Sequence, residues 1–141
     1  LNKVSHFQQK IEEKEANAII EMLLSRKKTY RSRFMLHYRE SYKVVPVEEI
    51  DYVVLELKIV YLKLVNGTSI AVPYTLEELE EQLDPTYFFR INRQYILHIN
   101  SIESIHKYFN EKAKVILKRS THAEVIVSRS RMSQFKLWLN Q

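Results

Sequence analysis

Residues 88–98 hold the densest group of side chains able to read another molecule. Arg90, Asn92, Arg93 and Gln94 fall within five positions there. An arginine matches guanine O6 and N7 with two N–H donors, and an Asn or Gln amide matches adenine N6 and N7. Phe88, Phe89, Ile91, Ile96 and Leu97 flank these polar residues as core anchors. A loop held between two anchored strands can present such side chains to base edges. A solvated loop with structural hydrogen bonds would carry the same residues, and both readings stay open. A second group is Ser128, Arg129, Ser130 and Arg131. It reads as the N-terminus of a last helix, whose free N–H groups favour a phosphate. The plainer role is capping of that helix by Ser128. Lys118 and Arg119 precede it and would add contacts to a nucleic-acid backbone.

The charge distribution points the same way. The chain of 141 residues has a net charge of +5. Residues 31–85 hold six Lys or Arg against ten Asp or Glu, a net of −4, whereas residues 86–141 hold ten against three, a net of +7. Concentrated positive charge binds polyphosphate by releasing its counterions. An ordinary solvated basic surface is the bland alternative.

Other chemistries find little support. With no cysteine there is no disulfide framework and no thiolate ligand or nucleophile. His6, His37, His98, His106 and His122 lie at no zinc-site spacing, so neither metal nor cofactor is expected. Glu77, Glu78, Glu80 and Glu81 read as a solvated helix face and not as a catalytic carboxylate pair. No Gly-rich phosphate loop or nucleophile–base pattern occurs, so an enzyme is not expected. Tyr61, Tyr74 and Tyr108 can stack on single-stranded bases, but core or half-buried strand positions are the favoured explanation. No stretch approaches the ~18 apolar residues of a membrane span, and no signal-peptide pattern opens the chain. A cytoplasmic location is expected. The first residue is Leu, which suggests a fragment of something longer.

Several elements must position these residues. Val4, Phe7, Ile11, Ala18 and Met22 recur at helical spacing, so residues 1–30 read as a helix whose apolar stripe needs its own domain or another chain to pack on. From Arg33 the period becomes two. Strands are predicted over 34–38, 42–45, 50–55, 59–65, 68–72, 87–90, 95–97, 102–108, 113–117 and 123–127. Asn66-Gly67 is a hairpin signal, because both turn positions need positive φ. Gly67 is the one glycine of the chain. Asn110-Glu111 and residues 119–121 mark further turns. Thr75 and Glu78 have capping-box spacing ahead of a short helix carrying Leu76, Leu79 and Leu83. Met132, Phe135, Leu137, Trp138 and Leu139 form the apolar side of the last helix.

The segment FFRINRQYILHINSI, residues 88–102, resembles the signature of the LytTR family of bacterial DNA-binding domains. VPVEEIDYV (45–53), the Asn-Gly hairpin, YTLEELEEQL (74–83) and EVIVSRSRMSQFKLWL (124–139) resemble further family segments in the correct order. The resemblance covers residues 32–141 and leaves 1–31 as a linker helix. It implies a mostly β domain with short helices, an elongated sandwich of about ten strands. It also implies sequence-specific binding of double-stranded DNA, often at paired direct repeats, as the output domain of a two-component response regulator. Carried over by position, the contacts are Lys58, then Asn92, Arg93 and Gln94, then Arg129 with Arg131, while Arg90, Lys118 and Arg119 are further candidates. The missing part would be a receiver domain, and that domain or the N-terminal helix would support a homodimer. The chain departs from the family pattern at Asn92, Gln94 and His98, and at Leu57 and Ile59 in a turn that is usually more polar. The rival expectations are a module binding single-stranded nucleic acid and a protein-interaction domain.

Overall fold

A computed structural model describes residues 2–25, 29–120 and 124–141. The order is α1 (Asn2–Ser25), β1 (Arg33–Tyr38), β2 (Ser41–Pro46), β3 (Ile50–Glu56), β4 (Ile59–Leu64), β5 (Ser69–Val72), α2 (Leu76–Gln82), β6 (Phe88–Arg90), β7 (Tyr95–His98), β8 (Ile102–Tyr108), β9 (Lys112–Leu117), β10 (Val125–Val127) and α3 (Met132–Leu139). The ten strands form three antiparallel sheets: β1–β2, the central β5–β4–β3–β7–β6, and β10–β9–β8.

The central sheet is covered on both faces, because alternate side chains of a strand point to opposite sides. Val53, Val60, Leu62, Leu64, Ile70 and Ile96 meet Phe34, Leu36 and Val45 of the β1–β2 hairpin and Leu76, Leu79 and Leu83 of the α2 region. Val54, Tyr95 and Leu97 meet Val115, Leu117, Val125 and Val127 of the third sheet, with Phe135 and Trp138 of α3. Trp138 Nε1 donates to Pro85 O at 2.9 Å, which ties α3 to the start of β6.

The local signals hold where their chemistry is complete. Thr75 and Glu78 form the reciprocal capping box of α2. Gly67 turns β4 into β5 at φ +91°, but Asn66 is not at positive φ, so only one of the two turn positions needs it: residues 65–68 form a longer loop, closed by Gly67 N–H donating to Leu64 O at 2.9 Å. Three further expectations change. The strand predicted over 123–127 is observed from Val125; part of the turn over 119–121, and Ala123, lie outside the described residues. The last helix does not start at Ser128: a 3-10 turn, Arg129–Arg131, intervenes, and Ser128 makes no side-chain cap. Leu137 is exposed and does not join the apolar side of α3.

Over residues 9–21 every side chain of α1 is exposed, including Ile11, Ile19 and Ile20. That part of its apolar stripe does not pack on the β-rich body. The side chains of Val4, Phe7 and Met22 lie outside the described residues. Arg31, by contrast, belongs to the body: its Nε donates to Gln82 Oε1 at 2.8 Å and its guanidinium lies 4.3 Å from the Phe34 ring centroid.

Candidate nucleic-acid interface

Three chain turns meet at one end of the central sheet. The first is the two-residue turn Leu57-Lys58 between β3 and β4. The second is the loop 91–94 between β6 and β7. The third is the 3-10 turn after β10. Backbone hydrogen bonds join them: Leu55 N to Gln94 O at 2.9 Å, and Ser128 N to Ile91 O at 3.0 Å. The Ser128 hydroxyl also donates to Ile91 O, at 3.3 Å, which is why it does not cap the following turn. Arg90, Asn92, Arg93, Gln94, Ser128, Ser130 and Arg131 line one shallow depression across this end.

Inside the loop the polar side chains divide into two kinds. Asn92 Oδ1 accepts from Gln94 N at 2.7 Å and Tyr95 N at 2.8 Å, and its Nδ2 donates to Ile126 O at 2.7 Å. Such Asx hydrogen bonding shapes the turn, and it occupies the amide that would otherwise match a base. The Arg90 side chain is only 10% exposed. It donates to Asn92 O at 3.0 Å and Arg93 O at 3.3 Å, and pairs with Glu77 at 3.0 Å and Glu80 at 4.0 Å. Arg90 therefore braces the loop from the α2 side. Arg93 and Gln94 remain exposed at the tip, and among the described residues neither side chain is tied to another.

The two arginines of the third turn are held apart. Arg129 Nε donates to Glu111 Oε2 at 3.1 Å, and Arg131 lies 3.6 Å from Glu80. Both pairs are solvated and weak enough for a phosphate to replace the carboxylate. Lys58 is exposed beside Arg93 on a second depression.

Lys118 and Arg119 lie elsewhere. Lys118 N bonds Ser101 O, and Arg119 Nη1 pairs with Asp51 at 3.0 Å, at the start of β3. The three turns gather at the other end of that strand, roughly 17 Å away at ~3.3 Å per residue. The two residues precede Ser128 in sequence, but β10 carries the chain back across the sheet before Ser128 is reached. Arg119 is the partner of a buried carboxylate there. Burial pushes the Asp51 pKa up, and the guanidinium partly offsets this. Burial also pushes His98 below its usual value, against the pull of Asp51.

Sequence reasoning missed the carboxylates. Glu77 and Glu80 are three apart and so share a helix face, a visible signal, but their partner Arg90 is set by the fold. Glu111 gave no signal. The three tyrosines form no common stacking platform: Tyr61 packs toward one core, Tyr74 toward the other, and Tyr108 against Phe109. Among the described residues no group of three or more His, Cys, Asp or Glu could hold a metal ion.

Comparison with known proteins identifies the family and the fold. The model of the LytTr DNA-binding domain family matches residues 40–140. Transcriptional regulatory protein YpdB of Escherichia coli K12 is 30% identical over 93 residues, covering 66% of this chain and 37% of that protein. Transcriptional regulatory protein LytR of Staphylococcus aureus N315 is 39% identical over 61 residues, covering 43% of this chain and 24% of that protein. The chain thus spans well under half the length of these relatives. A solved LytTr DNA-binding domain, from a putative methyl-accepting/DNA response regulator of Bacillus cereus, superposes with a TM-score of 0.69 at 23% identity, covering 79% of this chain and 99% of that one.

Proposed function

This chain belongs to the LytTR family of DNA-binding domains, and we propose that it reads duplex DNA through the three joined turns. The observation that carries this reading is their hydrogen-bonded convergence on one edge. Arg93 and Gln94 are the base-reading side chains, presented to a major groove from a loop fixed by Asn92 and Arg90. Lys58, Arg129 and Arg131 hold phosphates on either side of them, with Arg129 and Arg131 exchanging Glu111 and Glu80 for phosphate oxygens. Lys118 and Arg119 lie outside this surface.

At the level of the whole protein, the chain acts as the output domain of a cytoplasmic two-component response regulator. The names and greater lengths of the relatives support that reading. Binding at paired direct repeats would place two copies side by side. The exposed stripe of α1, or a receiver domain in the longer protein, would then join them.

Selection of bound sequences from a random duplex library, followed by competition with the separated strands, tests this reading. A defined duplex motif that single strands do not displace is expected. Equal or tighter binding to single strands would show that the three turns do not read a groove.

A further inference from the structure

The turn between β3 and β4 is built from unsuitable residues for a turn. Leu57 and Lys58 hold φ values of +49° and +69°. Left-handed backbone is disfavoured for side chains with a Cβ, and a two-residue hairpin of this kind prefers Asn-Gly. The same sheet places its one glycine, Gly67, at the positive-φ position where β4 turns into β5. Leu57 is moreover 96% exposed, the most exposed large apolar side chain among the described residues. It packs on nothing, so it gives the fold no burial in return for the strain.

Its position supplies a reason. The Leu55–Gln94 hydrogen bond fixes the hairpin alongside the reading loop, and Leu57 extends two residues beyond that bond at the same end of the sheet. Ile59, 44% exposed, follows it. In a major groove the one apolar feature of a base edge is the thymine C5-methyl group. We infer that Leu57 is a specificity-determining residue of this interface, which packs against a thymine methyl group while Arg93 and Gln94 form hydrogen bonds to neighbouring bases. The inference rests on the duplex-reading function above and names one base that it prefers.

Replacing thymines by uracil removes the methyl and leaves every hydrogen-bonding group of the base edge unchanged. The parent protein and Leu57→Asn are titrated against the selected duplex with each thymine so replaced in turn. Asparagine suits the positive φ, so this variant folds at least as well as the parent. At one or two positions the parent should lose roughly three- to fivefold in affinity, the scale of one buried methyl. Leu57→Asn should bind the unmodified site more weakly and show no loss at those positions. A selected site with no fixed thymine overturns the inference. So does a parent insensitive to every replacement, or an equal loss in both proteins. In all three cases the parent still selects a duplex, so the duplex-reading function stands; a parent that selects none overturns that function as well.

Discussion

At the tip between β6 and β7, two amide side chains two positions apart have opposite surroundings. The Asn92 amide is bonded to three backbone groups, and Gln94 points into solvent. Removing the first strands backbone donors, and removing the second strands nothing. Asn92→Ala should therefore lose about 1–3 kcal/mol of stability and bind DNA poorly because its loop is no longer fixed. Gln94→Ala should melt with the parent and change only the preferred base, at a cost of about 1–3 kcal/mol. Thermal denaturation beside equilibrium binding separates the two. At the far end of the sheet, His98 Nδ1 accepts from Asn100 N at 3.0 Å, which requires the neutral ring. Burial lowers the His98 pKa below the ordinary 6.5. The unfolded chain thus takes up the proton first, and stability should fall as pH drops through and below 6.5. His98→Asn keeps an acceptor without titrating there, so its unfolding free energy should vary less over that window in denaturant melts at several pH values.

Among the elements, the strands, the β4–β5 turn and α2 were legible because each carries its own local chemistry. Alternating Val, Ile and Leu set the strands, Asn66-Gly67 set one turn, and Thr75 with Glu78 set the start of α2. Gly67 has open space around its Cα, so Gly67→Ala meets no clash and only backbone strain at φ +91°. It should cost about 1–2 kcal/mol and leave DNA affinity unchanged, since this turn lies away from the three that converge. The start of α3 was misread for an opposite reason. Ser128 looks like a cap by type, but its hydroxyl is drawn to Ile91 O, thirty-seven positions earlier in the chain. A tertiary hydrogen bond of that kind leaves no mark in local sequence. The same holds for Arg90, whose type suggested base reading and whose burial against Glu77 and Glu80 makes it a brace.

For the molecule as a whole, family and strand content could be read from ordered motifs, and the placement of the candidate contact residues only in part. Lys58, Arg93 and Arg131 lie at one end of the central sheet, while Arg129 turns away toward Glu111, and Lys118 and Arg119 lie at the other end of β3, because the path of β10 separates sequence neighbours in space. Arg31, placed by the sequence in the linker helix, is tied to the β-rich body through Gln82, Tyr74 and Phe34. A protein of residues 29–141 should melt close to the parent by circular dichroism, because the described side chains of α1 are exposed, whereas one starting at residue 32 should melt lower. The central claim is that Arg93 reads bases and Arg129 holds a phosphate. Equilibrium binding of Arg93→Ala and Arg129→Ala to the selected duplex and to unrelated duplexes, over a range of salt, tests it most directly. Arg93→Ala should lose about 1–3 kcal/mol on the selected site and relax its preference at one position, and Arg129→Ala should weaken all duplexes alike with a salt slope lower by about one. Folded variants that bind the selected site as tightly as the parent would contradict it.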